Sequence, residues 1–338
     1  LPGAFCPPPR SLAGIALRKL ALDWEFQKSY HRYYLYSLPN HLKVALITYL
    51  GLWYGRGVSV ADLRAVLLPC EDDSFEEIDE PNPSIANEDI LHLDLTGSVG
   101  RSLKLRELAD LLFPSSTTKA SRAPQSQLQE SWDLAPPDTA SIAIPRALLP
   151  NLTHLSLSIN PKDASSVSWR HLLSLAAHFP TLTHLSLAYW PEPSLTPNAK
   201  LASFVVSTGS GSTRTVQYGG TGPYSHSLDE DWSEAVLVLR RLSKSLYGLE
   251  WLDLTGCAAW ARALTAAVER DSVDWVGDWG KVGTVLLYPG YKLGVDAGLA
   301  EMGRYRADLG LAAGLERYIR GRRAGRGRGI DVLTDDAP

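Results

Sequence analysis

Three histidines hold equivalent places in a recurring phrase of this chain: His92, His154 and His184, each one residue ahead of a leucine. If the phrases form strands that lie side by side, the three imidazoles form a row with a spacing of about 5 Å. Such a row can ligate a metal, touch a partner, or be no more than a solvated or locally bonded strand face. A zinc site needs three or four converging ligands, and no Cys or acidic residue is spaced to complete one here. A contact surface is the better expectation, and Trp251, at the same place in a later copy, extends it. His226 and Asp231 stand in an H-x-x-x-x-D spacing, but chance readily supplies it, no companion motif accompanies it, and the pair sits beside a stretch rich in Gly, Ser and Thr. The segment Gly209 to Gly222 lacks the GxxxxGK(S/T) pattern of a phosphate loop. Cys6, Cys70 and Cys257 make no CxxC pair and no even-numbered framework, which suits a reducing compartment, cytosol or nucleus. No Ser/His/Asp or Cys/His set can be argued from spacing. The expectation is a protein with no catalytic site, no metal and no cofactor.

The elements that position the row come from the phrase itself. Ile90-x-x-Leu93-x-Leu95 recurs as Leu152-x-x-Leu155-x-Leu157, Leu182-x-x-Leu185-x-Leu187 and Leu249-x-x-Leu252-x-Leu254, with a degenerate copy Val282-x-x-Val285-x-Leu287. Two copies are nearly identical, Asn151-Leu-Thr-His-Leu-Ser-Leu and Thr181-Leu-Thr-His-Leu-Ser-Leu. Two others share Asp-Leu-Thr-Gly, at 94–97 and 253–256. Alternate residues of a short strand point the same way. The leucines therefore go inward, while His92, Asp94, His154, Ser156, His184, Ser186, Trp251 and Asp253 face outward. Between the phrases apolar residues step by three and four: Leu105, Leu108, Leu111 and Leu112; Leu172, Leu175, Ala176 and Phe179; Trp232, Ala235, Val236, Leu239, Leu242 and Leu246. These are helices, and Pro114 and Pro180 end the first two. Each unit reads strand, turn, helix. One unit cannot bury its own leucines, so the units must stack.

The phrase resembles the leucine-rich-repeat consensus LxxLxLxx(N/C)xL, with Asn160 and Cys257 at the Asn/Cys position. Repeats near 30 residues with helices resemble the ribonuclease-inhibitor-like subclass. The resemblance implies an α/β solenoid over residues 90–320, with a parallel sheet on its concave face and helices outside, and a protein partner held on that concave face. Flexible insertions are expected near 114–141 and 190–231, where the spacing lengthens and the composition turns polar.

Residues 1–70 lack the phrase and read as helices. Leu12, Ile15, Ala16, Leu20 and Trp24 make an apolar stripe, and Tyr30, Tyr33, Tyr34 and Tyr36 an aromatic cluster. Leu38, Pro39, Leu42, Leu46, Ile47 and Leu50, within segment 38–50, resemble the opening of an F-box, LPxELLxxIFxYL. That resemblance implies docking on a Skp-type adaptor of a ubiquitin ligase. The same helices also read as a cap for the first repeat, and the two readings are compatible. Residues 71–89 are acidic and read as a linker. Residues 321–338, with the run Arg320-Gly-Arg-Arg-Ala-Gly-Arg-Gly-Arg328, read as a basic disordered tail with at most a weak nucleic-acid contact.

Composition sets the remaining bounds. The 338 residues carry a formal net charge of -4, so no global field draws in nucleic acid or an anionic membrane. No apolar run reaches the roughly 18 residues of a membrane span. The function expected is recognition of a protein, as an F-box-like receptor or as a structural subunit of an assembly. A GTPase-activating arginine, Arg101, is a further alternative.

Overall fold

The computed structural model describes residues 1–70, 82–114, 147–195, 203–208, 212–217, 232–266, 272–294 and 296–334. The chain opens with α1 (Leu12–Leu22), α2 (Trp24–Tyr30), α3 (Asn40–Trp53), α4 (Val60–Leu67) and the single turn α5 (Pro83–Ala86). Then come β1 (His92–Asp94), α6 (Leu105–Leu112), β2 (His154–Ser156), α7 (Trp169–Ala176) and β3 (His184–Ser186). A hairpin of β4 (Ser203–Thr208) and β5 (Ser212–Gln217) precedes α8 (Ser233–Ser245) and β6 (Trp251–Asp253). The chain continues through α9 (Trp260–Thr265), β7 (Thr284–Leu286), α10 (Leu299–Arg323) and β8 (Asp331–Leu333).

The architecture is α/β. Six strands form one parallel sheet in the order β1-β2-β3-β6-β7-β8, so each new strand adds beside the last. Parallel neighbours need a crossover, and a helix lies between each consecutive pair. The middle residues Leu93, Leu155, Leu185, Leu252, Val285 and Val332 stand in register across all six strands, and all are buried. Ile90, Leu152, Leu182, Leu249 and Val282, which lead into the strands, are buried too, as are Leu95, Leu157, Leu187, Leu254 and Leu287 behind them. Each such side chain gains about 1.5–3 kcal/mol by leaving water. The inward faces of α6 to α9 close the layer with Leu108, Leu111, Leu172, Leu175, Leu239, Leu242, Ala261 and Leu264.

The residue three places after the last leucine of each phrase ties neighbouring units. Ser98 Oγ accepts from the Val58 amide at 2.9 Å. The Trp190 indole donates to the Leu157 carbonyl at 2.7 Å. The Cys257 thiol lies 3.5 Å from the carbonyls of Leu187 and Trp190, and burial pushes its pKa far up, so it is an inert packing group. Asn160 instead closes its own turn, accepting from the Lys162 amide. The shared Asp-Leu-Thr-Gly is a turn device. Asp94 and Asp253 each accept from the amide and hydroxyl of the threonine two residues on. Gly97 and Gly256 then take φ of 72° and 76°, a region that favours glycine.

The N-terminal helices cover the β1 edge. Val44, Leu46, Ile47 and Leu50 are buried in the common core, and Lys43, 2% exposed, donates to Asn87, whose own amide donates to the Leu67 carbonyl. Burial lowers the Lys43 amine to about 8. A capping box at Ser59 and Asp62 starts α4, and Trp24 and Lys28 donate to the same buried Asp62. Burial alone would raise that carboxyl, but these bonds outweigh it and hold it below the ordinary value.

Four expectations change here. Leu46, Ile47 and Leu50 cannot serve as a docking surface, because they are the packed face of the cap; Leu38 and Leu42 are partly buried, and only Pro39 is exposed. The stripe from Leu12 to Trp24 splits: Trp24 is buried while Leu12 and Ile15 are 85% and 53% exposed, on the far side of α1 from Leu17 and Ala21. The expected linker 71–89 ends in packed chain, since Asn87 is fully buried; 71–81 lie outside the described residues. The expected tail 321–338 begins as the last turn of α10 and continues as strand β8. Arg323 is the reason. It is buried, and its guanidinium donates to the carbonyls of Trp275 (2.8 Å), Val282 (2.7 Å), Trp279 (2.6 Å), Arg328 (3.3 Å) and Gly329 (3.5 Å). Those bonds tie the end of α10 to the chain entering β7 and β8. Of the two expected insertions, 115–146 lie outside the described residues. In the second, Ser203–Thr208 and Ser212–Gln217 pair as antiparallel strands; their valines and threonines favour that conformation. No helix among the described residues is long and apolar enough to cross a membrane.

Candidate functional site: the outward face of the sheet

Register alone brings the expected outward residues together. Across the six strands His92, His154, His184, Trp251, Thr284 and Asp331 make one row, and Asp94, Ser156, Ser186, Asp253, Leu286 and Leu333 a second. The first row is a ring stack for most of its length. His92 and His154 have centroids 4.1 Å apart, His154 and His184 3.9 Å, and His184 and Trp251 5.9 Å.

Threonines flank the rings. Thr153 Oγ lies 3.2 Å from the Leu91 carbonyl and Thr183 Oγ 3.2 Å from the Thr153 carbonyl. The same hydroxyls lie 2.8 Å from Nδ1 of His154 and His184. Burial lowers the pKa of His154 to about 4, with its stacked neighbours adding to the effect. Burial also lowers His92 and His184, the latter partly offset by Glu250. At neutral pH the three stacked histidines carry no charge. Stacked rings aim their lone pairs in parallel, so these do not converge on one ion. The described residues hold no cluster of three or more His, Cys, Asp or Glu side chains suited to a metal.

The second row is satisfied internally. Thr96 donates to Asp94 at 2.6 Å, Thr96 and Ser156 hydroxyls lie 2.8 Å apart, Ser156 and Ser158 3.2 Å, Ser158 and Ser186 2.7 Å, and Ser186 donates to Asp253 at 2.6 Å. Thr96 and Ser186 have given their protons to carboxylates. Ser156 and Ser158 must therefore supply the three remaining links, and two protons serve only two. The longest contact, Ser156 to Ser158, is the one without a proton. Two short chains result, each ending on a carboxylate. Ser156 and Ser186, expected at the contact surface, are 3% and 2% exposed and are instead part of this ladder. Asp94 and Asp253 remain partly exposed but hold the turns behind their strands.

Beyond β6 the face changes. Trp251 has no ring on the side facing β7 among the described residues. Thr284 and Asp331 follow it in register, and Leu286 and Leu333 follow Asp253. The sequence reading missed Thr284 only in role, since its phrase was recognised, but missed Asp331 and Leu333 altogether. The alternation in Ile330-Asp331-Val332-Leu333 was the available signal, hidden behind the Arg/Gly run. At the other end, His92 borders a cleft of about 440 Å³ lined by Gly3, Phe5, Pro39, His41 and Leu91. Arg101, the expected GTPase-directed residue, is exposed in the turn after β1. His226 and Asp231 lie outside the described residues. Comparison with protein-family models, with curated proteins and with solved structures gave no match to this chain.

Proposed function

We propose that this chain is a leucine-rich-repeat-type solenoid that holds a segment of another protein on the outward, concave face of its sheet, with no catalytic step of its own. One observation carries the reading: a row of half-buried aromatic rings crosses four strands and ends in a tryptophan whose far face meets no ring among the described residues, beside Thr284 and Asp331. Buried aromatic anchors with polar neighbours are what protein contacts are built on. The in-register leucine phrase supports the repeat reading. Three cysteines without disulfides support a reducing compartment, cytosol or nucleus.

The test is affinity purification of the tagged full chain beside His184→Ala/Trp251→Ala. A partner at fixed stoichiometry is expected with the wild type and lost with the double variant. Equal recovery on both would remove the face from the reading.

A second surface favours an additional partner. On α1 and α2, Leu12, Ile15, Leu22 and Phe26 point away from the core at 53–85% exposure, and Tyr30 stacks on Phe26 at 5.7 Å. A Skp-type adaptor, or the neighbour of a structural subunit, would seat here and not on the buried Leu46, Ile47 and Leu50. An Ile15→Asp/Phe26→Asp arm in the same purification should lose that second partner alone.

A further inference from the structure

The first outward row stops stacking at one place, and the space left there has a definite shape and charge. His184 covers one face of the Trp251 ring at 5.9 Å; the other face looks along the sheet toward β7. The next side chain in that row is Thr284, too short to reach across, and the one after is Asp331. Two strand spacings separate the Cα atoms of Trp251 and Asp331 by roughly 10 Å. The floor is Thr284. One wall is an indole face and the other an exposed carboxylate that makes no ion pair among the described residues. Beside the slot, in the second row, lie Leu286 and Leu333, the latter 43% exposed.

The two outward rows hold acids and no base. Asp253 and Asp331 lie in them, Glu250 lies next to β6, and neither row contains a Lys or Arg; Lys281 and Arg328 lie three residues ahead of Thr284 and Asp331 in the chain. A cation is drawn to the rows, and it must be flat to lie against the indole.

We propose that the slot between Trp251 and Asp331 takes the guanidinium group of an arginine carried on an extended segment of a partner protein. The plane of the group stacks on Trp251, within the roughly 6 Å over which cation–π attraction acts. Its other side looks to Asp331, whose carboxylate attracts the charge from across the slot. The methylene stem runs over Leu286 and Leu333. A lysine ammonium is a compact, strongly hydrated point charge and gains no stack. This assignment rests on the recognition reading above and narrows it to a partner chemistry.

Phage selection of random peptides on the full chain tests it, run in parallel on wild type, Thr284→Phe, Asp331→Asn and His184→Ala/Trp251→Ala, each checked for folding by far-ultraviolet circular dichroism. Wild-type selections should converge on one arginine. Replacing that arginine with citrulline or lysine in the best peptide, which leaves the protein untouched, should weaken binding about tenfold or more. Asp331→Asn, an exposed site, should weaken it about fivefold, and Thr284→Phe should fill the slot and remove the arginine preference. Peptides that depend on Trp251 or His184 but carry no arginine, or accept lysine equally, overturn the slot and leave the recognition reading standing. Selections in which no peptide depends on any outward residue overturn both.

Discussion

On β1, β2 and β3 the outward positions hold His92, His154 and His184 with Asp94, Ser156 and Ser186; on β6, β7 and β8 they hold Trp251, Thr284 and Asp331 with Asp253, Leu286 and Leu333. The backbone pairing is the same in both halves, parallel and in register. In the first half like groups meet across the strands: rings stack on rings, hydroxyls meet hydroxyls, and each chain of hydroxyls ends on a carboxylate. In the second half sizes and polarities alternate, so neighbours cannot satisfy one another. Like side chains in register make a closed structural seam, and unlike side chains leave groups available to a ligand. The histidines that first drew notice for chemistry are thus the scaffold, and the less regular end is where binding belongs.

Arg323→Ala should have the largest effect and break the comparison from the open side. Five carbonyls would lose a charged donor in a buried setting, at a cost of about 3 kcal/mol or more. Hydrogen exchange should show β8 and the end of α10 opening, with β1 to β3 still protected. Equal loss of protection throughout would mean that the two halves fold as a single cooperative unit.

Acid should break it from the closed side. In the unfolded chain His154 titrates near its ordinary 6.5, while in the folded stack its pKa is about 4. Above the ordinary value both states are neutral and stability is unaffected. As pH falls from 6.5 toward 4 the unfolded chain takes up the proton first, so stability is lost over that window, by about 1–2 kcal/mol after solvent screening. His92 and His184 act in the same direction. His154→Phe keeps a stacking ring without a titrating group. Urea denaturation at pH 7 and pH 5 should show a smaller difference between the two pH values for this variant than for the wild type. An unchanged difference would place the acid sensitivity elsewhere.

The smallest effect sharpens the boundary between halves. Ser186→Ala removes the hydroxyl that joins β3 to Asp253 on β6. About 1 kcal/mol of stability should go, with the His–Trp stack unchanged. Ser158 would then lose its acceptor and be free to donate to Ser156, supplying the proton that their 3.2 Å contact lacks. An undiminished midpoint would show that the ladder is replaced by water without loss.

Much of this was readable in the sequence, for reasons that are local. A leucine at every third and second place fixes which residues face inward, because strand geometry alternates sides. The near-identical heptapeptides at 151 and 181 therefore dictated that His154 and His184 stand side by side before any coordinate was known. The helices after each phrase were equally legible, from apolar steps of three and four that the leucine layer needs to cover it.

What only the tertiary structure decided are the ends of the stack and the use made of the outward groups. An apolar helix such as α3 reads alike whether its leucines meet an adaptor or the edge of β1, because composition does not say which neighbour arrives. An arginine in a Gly-rich run reads as solvated until five carbonyls, drawn from residues 275 to 329, converge on it. The same convergence places Asp331 two strands from Trp251. Sequence periodicity specifies a repeating contact, whereas the termination of a repeat is a meeting of residues far apart in the chain, and only the folded arrangement brings them together.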